Sequence, residues 1–143
     1  MPAIKKNFFK KSSFLSIEKD LKTIIEKILE NQDLLKLLYY TDRNCMSKPD
    51  VTMEQALTMI GKQIRIVPYY EVLPDCPNYI IVTMDNFTPN DTNPKFRDCM
   101  INISILCHPD HWNLGDFKLR PFKILGELDK CLDNEHLSGI GTV

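Results

Sequence analysis

The chain has five cysteines, Cys45, Cys76, Cys99, Cys107 and Cys131, but no Cys-x-x-Cys pair. An odd set without that spacing argues against a zinc ribbon and against the disulfide framework of a small secreted domain. It predicts free thiols and a reducing, cytosol-type origin. No apolar run approaches the roughly 18 residues of a membrane span, and the N-terminus has no signal-peptide core, so no membrane partner is expected. There is no P-loop, no Gly-x-Gly-x-x-Gly and no His-Glu-x-x-His, so no cofactor is expected. "SGIG" at 138–141 reads as a turn into a strand and is too short to cradle a phosphate. The formal net charge is −1, which removes any whole-chain pull toward nucleic acid.

What remains is an ordinary globular balance, 43% hydrophobic and 26% charged over 143 residues, enough for one domain with its own core. Residues 1–14 depart from that balance. They carry Lys5, Lys6, Lys10 and Lys11, no acid, and Phe8, Phe9 and Phe14. They read as a basic N-terminal arm, with Phe8 and Phe9 as residues able to dock on a neighbouring chain. Residues 15–143 read as a single α+β domain.

Ser16 can cap a helix whose face is formed by Ile17, Leu21, Ile24, Ile25, Ile28 and Leu29, with a break and recapping at "NQD", 31–33. Thr52 can cap a short helix ended by Gly61. The period then changes to two. "QIRIVPYY" puts Ile64 and Ile66 on one side and Gln63 and Arg65 on the other. "YIIVTMDNF" and "KFRDCMINISILCH" follow as strands, the latter with Cys99, Ile101, Ile103, Ile105 and Cys107 on its helix-facing side. Short connections predict antiparallel pairing. Pro121 opens a last helix with an apolar stripe of Ile124, Leu125, Leu128, Cys131 and Leu132. The chain ends on a short strand that needs a partner edge, its own or a neighbour's. The expected fold is therefore α+β: N-terminal helices, an antiparallel three- to four-stranded sheet packed on one face by helices, and a C-terminal helix.

The densest candidate chemistry is "ILCHPDHW" at 105–112. Cys107, His108, Asp110 and His111 are metal-ligand types within five positions. Pro109 argues against the helical geometry that would aim both histidines at one ion, and Cys107 falls on the apolar face. A strand end closed by turn residues, with Trp112 folded back, is the plainer reading. A Cys–His nucleophile has no cation or helix N-terminus to lower a thiol pKa. Asp75, Asp85, Asp91, Asp98 and Asp110 all lie near turns, where Asp caps backbone. Arg97 and Arg120 flank the long strand and the last helix, where they could meet partner carboxylates.

The succession "NYIIVTMDNF", "RDCMINISILCHPDHWNL", "KLRPFKILGELDKCL" and "LSGIG" resembles the small neck and tail-completion proteins of tailed bacteriophages, the tail terminators and head–tail joining proteins. The likeness covers about residues 60–143 and leaves out the first helix and the arm. It implies a non-enzymatic virion subunit forming a homo-oligomeric ring at the neck or tail. Its other partners would be neck, portal-adaptor or tail-tube proteins, with no sequence-specific nucleic-acid binding and only passing contact with DNA in the lumen. Phe8, Phe9, Arg97, Trp112 and Arg120 are then the interface candidates. The alternative is a small metal-dependent nuclease or hydrolase built on the 107–111 cluster.

Overall fold

In the computed structural model the described residues are 17–70, 76–89, 91–93, 97–132, 136–137 and 141–142. The arm over 1–14, with Phe8 and Phe9, and the Ser16 cap lie outside them. The chain forms helices α1 (Ile17–Leu29), α2 (Gln32–Tyr39), α3 (Met53–Met59) and α4 (Arg120–Leu132). Its longer strands are β2 (Asn78–Pro89) and β3 (Arg97–Cys107). The short ones are β1 (Ile64–Arg65), β4 (Asn113–Gly115), β5 (Lys118–Leu119), β6 (His136–Leu137) and β7 (Gly141–Thr142). The protein is α+β, with N-terminal helices and a C-terminal helix on one face of the main sheet.

The break between α1 and α2 is a capping event. Asn31 leaves helical geometry, and its Oδ1 accepts the Leu34 N–H at 3.1 Å. The Asn31 amide also donates to Glu127 Oε2 of α4 at 3.1 Å, so one side chain starts α2 and ties it to α4. Asn31→Ala is expected to cost about 1–3 kcal/mol, the cap plus a half-buried hydrogen bond. A shift in the urea midpoint at constant slope would measure it. Thr52 and Gln55 form a complete capping box on α3. Gly61 follows with φ +87°, a conformation glycine takes without a Cβ penalty.

Ile24, Ile25 and Ile28 of α1, all four leucines of α2, and Ile124, Leu128 and Leu132 of α4 bury against Ile80 and Val82 of β2. Each such side chain contributes about 1.5–3 kcal/mol before entropy is subtracted. Ile101, Ile103, Ile105 and Cys107 of β3 pack on this core from their half-covered strand, on the face expected, while Cys99, expected beside them, is exposed. Cys76, Tyr79 and Ile81, with Leu106 against them, make a small second cluster.

Three sequence expectations need correction. The main sheet has the order β1-β2-β3, and β1 runs parallel to β2, with Ile64 opposite Ile80. β2 and β3 are antiparallel as expected. The connection over 66–77 has the dozen-residue length that a parallel return requires, so it is not a hairpin link. Arg65 is buried and Ile66 is exposed, the reverse of the alternating pattern. Leu125 of α4 also faces out, while Glu127 and Arg120 are buried. The final strand β7 pairs with β6 of the same chain, one of the two partners the sequence left open.

Candidate functional site

The cluster at 107–111 sits where β3 ends. Pro109–His111 form one turn of 3-10 helix with proline in its first turn, a position proline tolerates. The expectation that Pro109 would keep the two histidines apart fails for that reason. A 3-10 turn has three residues per turn, so His108 and His111 come to one side, their ring centroids 5.5 Å apart. The other contacts of His108 are structural. His108 Nδ1 accepts the Asp110 N–H at 3.2 Å, and Asp110 Oδ2 lies 3.6 Å from the same nitrogen. Asn78 Oδ1 accepts the His108 N–H at 3.2 Å, fastening the turn to the start of β2. Trp112 folds back and donates its indole N–H to the Cys107 carbonyl at 2.9 Å, with its ring still partly exposed.

Cys107 turns the other way, into the core. Burial pushes its thiol up to about 11, against the smaller pull of the Arg120 guanidinium. At pH 8 the thiolate would then be about one part in a thousand. Iodoacetamide is therefore expected to modify exposed Cys99 well before Cys107. Mass spectrometry of a timed reaction checks this order. The sign for stability follows from the raised value. The fold favours the neutral thiol, so its contribution is complete below pH 9 and is lost as pH rises from 9 toward 11. Among the described residues no three His, Cys, Asp or Glu side chains converge into a group able to hold a metal ion.

Arg120 is not where the sequence suggested. It was a candidate for meeting a partner's carboxylate, yet it is fully buried and meets carbonyls of its own chain. Nε donates to the His111 carbonyl at 2.8 Å. Nη1 donates to the carbonyls of Leu37 and Tyr40, and Nη2 to those of Thr41 and Asp42. Leu37 lies in the last turn of α2 and Tyr40 is its C-cap, where carbonyls lack helical partners and the helix dipole is negative, and Thr41 and Asp42 follow directly. The guanidinium is thus a C-terminal plug for α2. Nothing in the local sequence signals it, because four of its five carbonyl partners lie about 80 positions earlier. Arg97 sits at the start of β3, opposite Pro89.

The surface carries large apolar side chains. Met53, Leu57 and Ile60, at helical spacing along and just beyond α3, are 69%, 57% and 39% exposed. Further along the chain, β4 and β5 form a tight hairpin whose register places Gly115 opposite Lys118. Its two tip residues, Asp116 and Phe117, have φ +47° and +61°, and Phe117 is wholly in solvent. Neither feature stood out in the sequence. An apolar residue at the core-compatible spacing of a short helix reads as core, and "GDFK" reads as a polar turn.

With this geometry in place, comparison with known families gives a class first. The family that matches residues 31–143 is phage-derived, associated with an SPbeta-like phage region of Bacillus. The match covers more than half of the chain, and the protein belongs to this family, YomW. No curated relative and no solved structure matches it.

Proposed function

We propose that this YomW-family protein is a non-enzymatic structural subunit of the phage particle. Copies would pack side by side into a ring at the neck or the tail end. The ring would join head to tail or terminate the tail tube, contacting neck, portal-adaptor or tail-tube proteins. The observation that carries the reading is the amount of large apolar side chain left in solvent, above all the α3 stripe and Phe117. Single exposed apolar residues are common, but a helix stripe and an aromatic hairpin tip are features that a partner covers. The phage derivation of the family supplies the context. The 107–111 turn contributes structure to this subunit, since His108 Nδ1 accepts a backbone N–H and the His108 N–H is held by Asn78.

Sedimentation of the purified chain, together with immunoblotting of purified particles, tests the proposal. The expected result is a discrete oligomer and a signal that co-purifies with particles. A chain that stays monomeric at high concentration and is missing from particles overturns it.

A further inference from the structure

We infer that the open edge of β3 is an interaction site for a second copy of this chain. The two β3 strands pair antiparallel about a two-fold axis at Ile103 and join the two main sheets into one. This contact requires neither the ring nor the α3 stripe.

β3 ends the strand order β1-β2-β3, so one of its sides has no strand beside it. The register fixes which backbone groups point that way. The His108 N–H donates to the Pro77 carbonyl at 3.1 Å, one step beyond the Asn78–Cys107 pair. Hydrogen-bonded and non-bonded pairs alternate along an antiparallel ladder. Leu106, Ser104 and Asn102 therefore bond to β2, while Cys107, Ile105, Ile103 and Ile101 turn their N–H and C=O groups outward. Two contacts agree with this. The Ile80 N–H, opposite Ile105, donates away from β3 to the Gln63 carbonyl at 2.8 Å. The Trp112 indole reaches the Cys107 carbonyl, which closes that end of the edge. Among the described residues, the outward groups of Ile101, Ile103 and Ile105 have no hydrogen-bond partner. Edge strands are ordinarily guarded by charge, proline or a bulge. Residues 101–105 read "INISI", with no charge and no proline, and the register shift of the β2–β3 pair lies beyond them, between Asp85 and Thr88.

Backbone alone would accept any extended peptide. The side chains select the occupant, because this strand is complementary to itself. With the axis at Ile103, Ile101 stands opposite Ile105 of the other copy and Ile103 opposite its own counterpart. Each of these pairs exchanges two N–H···O bonds. The isoleucines of both copies then extend one apolar row on the helix side of the joined sheet. On the other side Asn102 stands opposite Ser104, a hydrogen-bonding pair, and exposed Met100 opposite Leu106, an apolar pair. A register moved by two residues one way sets Asp98 against Leu106, and moved the other way sets Asn102 against Leu106. Both put a polar group against an apolar one. The same patch serves both copies, so the contact is isologous and closes at two.

Cysteine cross-linking on the full chain tests the register, in a Cys99→Ser background because Cys99 is exposed. Non-bonded antiparallel pairs hold their Cα atoms about 4.5 Å apart, within disulfide range. Asn102→Cys mixed with Ser104→Cys is expected to give a disulfide-linked heterodimer under mild oxidation, and neither variant alone should link. Self-linking of Asn102→Cys or of Ser104→Cys would show a shifted register and overturn the proposal, as would no linking in the mixture. Linking that appears only after residues 1–14 are removed also overturns it, since the chain's own arm would then hold the edge. Sedimentation velocity supplies the second arm. The double variant Asn102→Lys with Ser104→Lys sets like charges opposite each other twice and is expected to weaken dimerisation at least tenfold. Adding Asn102→Glu with Ser104→Glu should restore a one-to-one dimer. A lysine variant that dimerises as tightly as the unaltered chain, or a mixture that stays monomeric, sinks the pairing.

Discussion

Arg120→Met is expected to destabilise the protein by about 3–5 kcal/mol, the range seen when one partner of a buried charged interaction is removed. The side chain fits a methionine's volume poorly, but polar loss sets the size. Five carbonyls, from Leu37, Tyr40, Thr41, Asp42 and His111, lose a charged donor. Water can reach some of them near Thr41 and Asp42, which are exposed residues. The Leu37 carbonyl lies beside a fully buried side chain, and an unmet acceptor there costs about 1–3 kcal/mol alone. Arg120→Lys should recover part of the loss, because one ammonium cannot reach both His111 and the α2 end. Urea denaturation measures both, and a change below about 1 kcal/mol at constant slope would show that the plug is dispensable.

How far these features could be read from the sequence depends on the range of the interaction behind each. Asn31 and Thr52 mark helix starts because a cap acts over three residues, so the α1–α2 break and the α3 start were legible. The β3 face was legible because the alternation of Ile101, Ile103 and Ile105 is itself the signal for burial. The parallel pairing of β1 was not, because two residues carry no direction. The two buried arginines failed for one physical reason. Alternation treats Arg65 as an outward residue, and a helix-start rule treats Arg120 as solvated. Burial of a guanidinium depends instead on carbonyls and aromatic faces brought from elsewhere in the chain. The candidate metal cluster was visible as composition, but its meaning lay in whether three ligands converge. The exposed apolar stripe was hidden for the opposite reason. Apolar spacing in α3 looks the same whether the covering surface belongs to the same copy or the next.

Arg65 makes the second large effect predictable. Its guanidinium lies 3.5 Å from the centroid of the Tyr79 ring and 5.1 Å from that of Tyr69. Its Nε donates to the Lys62 carbonyl at 2.7 Å, and Nη1 donates to the Tyr69 carbonyl. Tyr79 is buried beneath it and donates its hydroxyl to the Tyr70 carbonyl at 2.6 Å. The ring face is therefore the floor that replaces water under a buried cation, an arrangement worth about 2 kcal/mol when desolvated. Tyr79→Leu keeps apolar bulk but removes the face and the hydroxyl, leaving Arg65 over an aliphatic surface. The expected cost is about 3–4 kcal/mol, from the lost aromatic packing, the lost hydrogen bond and the weaker support of the charge. Arg65→Met should cost less, because a neutral chain can lie on the ring. The double variant decides between mechanisms. If the charge is the issue, Tyr79→Leu in an Arg65→Met background costs about 1–2 kcal/mol less than in the native one. Equal costs in the two backgrounds would mean that Tyr79 acts only as filler and gives the cation no support.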